Sequence, residues 1–174
     1  AIARCGAGVN NIPIERCSKA GIVVFNTPGA NANGVKELTV CALMLAARDI
    51  AGGIAFAESL AGTEGLAKAI EKGKSAFVGH EVAGKTLGVI GLGAIGGMVA
   101  TTATHLGMTV EGCDPYLTVE GAWSLSRNVK KAATYEEIFR SSDYITLHVP
   151  ATDETKHMIN RETLAMTKDG VRII

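Results

Sequence analysis

An α/β fold built on a doubly wound parallel sheet is predicted by three observations. Strand-like and helix-like patterns alternate along almost the whole chain, the signature of a parallel sheet with helices on its faces. A glycine-rich turn, Gly91-Leu92-Gly93-Ala94-Ile95-Gly96, joins an apolar run at Thr86 to Ile90 to a small-residue helix at Ile95 to Leu106. An acidic residue, Asp114, ends the next apolar run, Met108 to Cys113, about twenty positions further on.

Taken in order, Ile2-Ala3-Arg4 reads as a short strand entering a loop from Cys5 to Asn11. Pro13, with its fixed φ, starts a helix to about Lys19, and Gly21 ends it. Ile22-Val23-Val24-Phe25 is wholly apolar and reads as a buried strand. Asn26-Thr27-Pro28-Gly29 breaks the pattern and suggests a hinge between two domains, followed by a long helix from about Val35 to Ala47. The apolar stretch Leu38 to Ala47 predicts a buried helix. From Gly52 to Gly79, interrupted periodicity predicts two short helices and a loop.

After Thr86 the pattern is regular. Strands are expected at Thr86 to Ile90, Met108 to Cys113, Val129 to Ala132, Tyr144 to Val149 and Val171 to Ile174, with helices at Ile95 to Leu106, Tyr135 to Ser141 and Asn160 to Ala165. Thr134 followed by Glu137 has capping-box spacing. Five strands from Thr86 onward are one short of the usual order 3-2-1-4-5-6, so the sheet is expected to be incomplete.

Composition narrows the function classes. The 174 residues are 20% charged and 47% hydrophobic, with zero net charge, so no basic field attracts nucleic acid or an anionic membrane surface. The longest apolar stretch falls well short of the roughly 20 residues that span a bilayer. The N-terminus does not resemble a signal peptide. Cys5, Cys17, Cys41 and Cys113 show neither CxxC spacing nor histidine neighbours, which predicts reduced thiols in the cytoplasm and no bound metal.

The glycine turn has a specific chemistry. Gly91 allows the tight turn, Gly93 lets backbone approach a diphosphate, and Gly96 lets helix and strand pack closely. The helix N-terminus then offers free N–H groups and a partial positive charge to an anion. Asp114 is placed to accept bonds from a ribose, and its charge would repel a 2′-phosphate. NAD is therefore predicted over NADP, the more so because Pro115-Tyr116-Leu117 follows Asp114 with no nearby cation. Asp-Pro can also be a simple turn, and both roles are compatible.

These motifs, with Ala3 to Ile12, Asn26 to Asn31, Gly84 to Gly88, Cys113 to Tyr116 and Leu147 to Pro150, resemble the NAD-dependent D-2-hydroxyacid dehydrogenase family in order and from end to end. The resemblance implies a Rossmann cofactor domain at residues 27–174, truncated at its fifth strand, preceded at 1–26 by a short piece of a flavodoxin-like substrate domain. It implies that Gly91, Gly93, Ala94, Ile95 and Gly96 hold the diphosphate and Asp114 the adenine ribose. Pro115, His148, Val149, Pro150 and Thr155 would line the cofactor crevice. The loop Cys5-Gly6-Ala7-Gly8-Val9 is similar to the family's substrate loop, Ala7 also facing the cofactor. Small residues there let the backbone form an anion-binding concavity, although a glycine-rich turn between strand and helix would look the same.

Three departures from the family pattern stand out. Ala94 replaces an arginine common after the second glycine, Lys36 stands where a small residue is common, and Ser75 takes the place of an often aromatic residue. The family's catalytic arginine, glutamate and histidine would fall beyond Ile174, so no catalytic residue is assigned and the chain alone is expected to bind NAD without turnover. His148 is read as a packing or cofactor-contact residue, and Glu37 as a local partner on its helix. Arg172 lies within a strand and is not the catalytic arginine. The resemblance also implies a homodimer through the cofactor domain. The intact protein would be a D-2-hydroxyacid dehydrogenase, with a nicotinamide-sensing, protein-binding module of the same fold as the alternative.

Overall fold

The computed structural model describes residues 1–174. Two parallel sheets organise the chain. The first contains β1 (Ile2–Arg4) and β2 (Val24–Asn26), joined through α1 (Ile14–Lys19). The second has five strands: β3 (Thr86–Ile90), β4 (Thr109–Cys113), β5 (Val129–Lys131), β6 (Tyr144–Leu147) and β7 (Arg172–Ile173). Its order is β5-β4-β3-β6-β7, every pair parallel, which is 3-2-1-4-5 in doubly wound terms.

Between the two sheets along the chain come α2 (Ala32–Ala47), α3 (Ile50–Ser59), α4 (Leu66–Gly73) and a 3₁₀ turn at Lys74–Phe77. The two short helices expected in Gly52 to Gly79 are therefore present, closed by Phe56 and Phe77 with ring centroids 5.2 Å apart. Around the larger sheet run α5 (Ala94–His105), α6 (Val119–Ser124), α7 (Tyr135–Ser141) and α8 (Arg161–Leu164).

Strand alternation divides the core in two. Leu87 and Val89 of β3 join Val99, Ala100 and Ala103 of α5 and Leu43 and Ala47 of α2 in one cluster. Ile90 packs on the other face with Ile138, Phe139, Ile145 and Cys113. Gly88 lies under α7, where a side chain would overlap Ser142 and Ile138. Arg172 ties α2 to the sheet: its Nε donates to the Ala46 carbonyl at 2.7 Å, and its guanidinium lies 5.2 Å from the Tyr144 ring centre.

Two burial expectations are corrected. The strand at Ile22 to Phe25 begins only at Val24 and is not buried, Val23 being 56% and Phe25 58% exposed, because this sheet has only two strands and one six-residue helix, α1, joining them. Likewise α2 is not buried all round. Thr39, Leu43 and Ala47, at four-residue spacing, face the core, while Leu38 is 71% exposed. Leu43 is fully buried, which contributes about 2 kcal/mol.

The capping box predicted at Thr134 is half formed. Thr134 Oγ1 accepts from the Glu137 N–H at 3.3 Å, but the Glu137 carboxylate accepts from Ala133 N–H at 2.6 Å, one residue earlier than the motif requires. The reciprocal arrangement occurs instead at Asn160 and Thr163, at the start of α8.

Candidate cofactor site

β3 lies between β4 and β6, and the chain leaves it toward β4 through α5, while α7 brings it back to β6 on the other side. A crevice must open at the carboxyl ends of β3 and β6, where the winding reverses, and ligands of doubly wound sheets bind there. Gly91 follows β3 and His148 follows β6. Ladder bonds continue past the strand ends, from His148 N–H to the Ile90 carbonyl at 2.8 Å and from Gly91 N–H to the Cys113 carbonyl at 2.9 Å.

Two glycines are dictated by this geometry. Gly91 has φ +88°, and a Cβ there would lie 2.7 Å from the His148 carbonyl oxygen. A Cβ on Gly96 would overlap the Gly91 carbonyl oxygen and come within 3.3 Å of His148 Cβ. Gly93 differs: its missing side chain would meet nothing within 4 Å, so that side of the turn is open to a ligand. Gly93 is the N-cap of α5 and makes no side-chain cap bond, and the N–H groups of Ala94, Ile95 and Gly96 have no backbone partner. A first turn left this way suits an anion.

Asp114 faces the same turn. Its Oδ2 accepts from the Leu92 N–H at 2.8 Å, and its Oδ1 accepts from the Tyr116 N–H at 2.9 Å. The acidic residue therefore anchors the glycine loop and makes the Asp-Pro turn. Each oxygen accepts one N–H, and a carboxylate oxygen has lone pairs for a further donor.

Gly91, Gly93, Asp114, Pro115, His148, Val149, Pro150 and Thr155 line one cavity of about 770 Å³. Ala94 lines an adjoining cavity of about 510 Å³, which shares Gly93 and Asp114 with the first. Ile95 and Gly96 line neither; Ile95 packs on the core and Gly96 on Gly91. Thr155 has a local task, its hydroxyl accepting from Thr152 N–H at 2.9 Å and donating to the Pro150 carbonyl at 2.5 Å, which fixes the turn after β6.

The loop Cys5 to Val9 is not brought into the 770 Å³ cavity. Val9 lines a separate cavity beside α1 and β2. Gly6 is held by Thr27, whose hydroxyl accepts from Gly6 N–H at 2.7 Å, and the Ala7 carbonyl accepts from Asn26 Nδ2 at 3.0 Å. The N–H groups of Ala7, Gly8 and Val9 have no backbone partner, as an anion-binding concavity requires.

Sequence reasoning missed several residues at the site. Tyr116 and Glu154 line the larger cavity, and the Tyr116 hydroxyl donates to Glu154 Oε2 at 2.9 Å, linking the loop after β4 to the loop after β6. That bond pushes the Tyr116 phenol above its ordinary pKa. Position 116, directly after Asp-Pro, was the available signal; Glu154 had none. Lys36 lines the smaller cavity.

His148 Nε2 lies 3.0 Å from Thr146 Oγ1, with no carboxylate partner. Burial pushes its pKa below the ordinary histidine value, so the ring is neutral at pH 7. The unfolded chain binds this proton more readily, so the stability contributed by neutral His148 is present above about pH 6.5 and is lost as pH falls through the depressed folded value. Urea unfolding from pH 7.5 to 5 is expected to show declining stability, with a smaller decline for His148→Gln. Equal declines would place the titrating group elsewhere. Burial also raises the Cys113 pKa, with Asp114 adding to it, so that thiol stays protonated.

Comparison with known proteins agrees with this geometry. Residues 50–174 match the family described as D-isomer specific 2-hydroxyacid dehydrogenase, NAD binding domain. The chain is 40% identical over 173 residues to D-3-phosphoglycerate dehydrogenase of Bacillus subtilis, covering 99% of this chain and 30% of that protein. It is 39% identical to hydroxypyruvate reductase of Thermotoga maritima, covering 99% and 51%. The NAD-bound crystal structure of 3-phosphoglycerate dehydrogenase from Entamoeba histolytica superposes with a TM-score of 0.70 at 31% identity, over 99% of this chain and 47% of that one. The chain thus spans between about a third and a half of the relatives it matches. With a strand order, glycine turn and acidic residue that all suit a dinucleotide, the chain belongs to the NAD-binding domain family of the D-isomer specific 2-hydroxyacid dehydrogenases.

Proposed function

We propose that the protein carrying this chain transfers a hydride between NAD and a D-2-hydroxy acid, and that the acid is D-3-phosphoglycerate, oxidised to 3-phosphooxypyruvate for serine biosynthesis. The observation that carries the cofactor half is the uncapped first turn of α5 opening beside Asp114 on the crevice at the ends of β3 and β6. Support for the substrate half is the 40% identity to a D-3-phosphoglycerate dehydrogenase.

Bound NAD supplies a hydride acceptor. The chain's own share is binding and orientation. Gly93 and Ala94, at the uncapped start of α5, would hold the diphosphate, Asp114 the adenine ribose, and Pro115, His148, Val149, Pro150 and Thr155 would wall the crevice. Neutral His148 adds no positive charge to the pocket. On this reading residues 1–26 belong to a substrate domain and 27–174 to the cofactor domain. The unpartnered N–H groups of Ala7, Gly8 and Val9 would meet the substrate carboxylate.

No arginine lines the 770 Å³ cavity, and His148 lacks the carboxylate that tunes an acid-base histidine. The chain by itself is therefore expected to bind NAD and oxidise nothing. The protein functions as a homodimer in this reading. Its support is the set of exposed apolar side chains on α2 to α4, Leu38, Leu45, Ile50, Ile54, Leu66 and Ile70. Four free cysteines, with Cys5 and Cys41 exposed, fit the reducing cytoplasm. No single helix is long and apolar enough to cross a membrane.

The test is a substrate panel. The chain alone, and the chain within its longer protein, are supplied with NAD and with D-3-phosphoglycerate, D-lactate or D-glycerate, and NADH formation is followed. Turnover is expected only in the longer protein and fastest with D-3-phosphoglycerate. Faster turnover of another acid would reassign the substrate, and turnover by the chain alone would overturn the division of labour.

A further inference from the structure

Lys36 is a cation that its own helix does not explain. It lies near the positive end of the α2 dipole, where a lysine gains nothing from the helix. Its side chain is only 20% exposed. The one carboxylate in range, Glu37 Oε1, is 4.0 Å away, at the limit of an ion pair, and already accepts from Asn33 Nδ2 at 2.8 Å. A lysine whose stem is packed and whose ammonium has no close anion is placed to pair with an anionic ligand in the cavity it lines.

The place of the ammonium suggests that ligand. Lys36 lines the 510 Å³ cavity together with Gly93, Ala94, Gly97 and Asp114, beside the free amides of the glycine turn. Helix α2 packs directly on α5 and brings the residue there. Neither the turn nor α5 contains a lysine or arginine, Ala94 being the first helical residue. A dinucleotide diphosphate carries about two negative charges, more than a helix end with about half a positive charge neutralises.

We propose that Lys36 supplies, from α2, the cation for the cofactor's diphosphate that the glycine turn lacks. This rests on the reading of Gly91 to Gly96 as the diphosphate seat. Lys36 is then an affinity-determining residue, with no part in the hydride step.

The test compares ligands with and without the diphosphate. Binding of NADH, ADP-ribose and adenosine to the wild-type chain, Lys36→Met and Lys36→Arg is measured by calorimetry at low and high salt. Methionine keeps an unbranched stem of similar length and removes the charge together with its N–H donors. The Met variant is expected to bind NADH and ADP-ribose about 10-fold more weakly, with a shallower salt dependence, and adenosine unchanged. Lys36→Arg is expected to stay within about 3-fold of wild type, and adding Ala94→Arg to Lys36→Met to recover most of the loss. Wild-type affinity and salt dependence in the Met variant would overturn the proposal, as would an equal loss for adenosine. A wild-type chain that binds neither NADH nor ADP-ribose would instead overturn the diphosphate seat itself.

Discussion

Gly96→Val is expected to abolish NADH binding, lowering affinity by at least about 100-fold, and to destabilise the chain by about 3 kcal/mol. The reason is local and rigid. A Cβ at this position overlaps the Gly91 carbonyl oxygen, which is backbone and cannot rotate away, and it crowds His148 Cβ as well. Helix α5 would have to withdraw from β3, and its free amides would move with it. Gly93→Ala separates the two effects. Its added methyl meets no protein atom within 4 Å, so unfolding is expected to be unchanged while NADH affinity falls, because the methyl would occupy the side proposed for the diphosphate. Calorimetric titration and urea unfolding of both variants measure this. A stable Gly96→Val chain that binds NADH normally would show that the turn is merely a turn.

Asp114→Ala has the second large effect. The wild-type carboxylate accepts from Leu92 and Tyr116 N–H groups, so its removal frees the glycine loop as well as removing the proposed ribose contact. Hydrogen bonds to a charged group contribute about 1.5–3 kcal/mol, so a melting temperature lower by roughly 5 °C is expected. NADH affinity should fall about 30-fold. NADPH affinity should change little, because the repulsion of its 2′-phosphate disappears with the carboxylate, and the preference for NADH should collapse. Asp114→Asn keeps an acceptor for Leu92 but turns an NH2 toward the Tyr116 N–H, so it is expected to lower the melting temperature less than Asp114→Ala does, while still losing cofactor preference. Unchanged NADH-to-NADPH discrimination in both variants would remove Asp114 from the ribose site.

The parts of this fold that were legible in the sequence are those governed by short-range rules. The turn after β3 could be read because glycines between a strand pattern and a helix pattern admit few backbone solutions, and Asp114 because it ends the adjacent strand. The parts that escaped depend on what lies across from a residue. Helix α6 was missed: it is only six residues long, contains Gly121 and leaves Trp123 83% exposed, so no apolar period marks it. Thr118, whose hydroxyl accepts from Gly121 N–H at 3.0 Å, was the one local sign of its start. The strand near Val24 looked buried because an apolar run gives composition, whereas burial needs a second layer. Helix α2 looked wholly buried for the same reason.

The site divides along the same line. Gly91, Gly93, Asp114 and His148 to Pro150 converge on one cavity because strand ends in a parallel sheet are neighbours, a consequence of strand order alone. The bond from Tyr116 to Glu154 joins residues 38 positions apart, and Lys36 reaches its cavity only through the packing of α2 on α5. Neither is encoded in a motif. Both arise from tertiary contacts between loops or helices that a linear pattern does not pair.

The central claim is that a diphosphate seats on the amides at the start of α5 while Asp114 holds the adenine ribose. Crystals of the chain grown with NAD test it most directly. The predicted result is diphosphate density within hydrogen-bonding distance of the amides between Gly93 and Gly96, with a ribose hydroxyl donating to the Asp114 carboxylate. Density for NAD elsewhere on the chain, or a ribose out of reach of Asp114, would contradict the account.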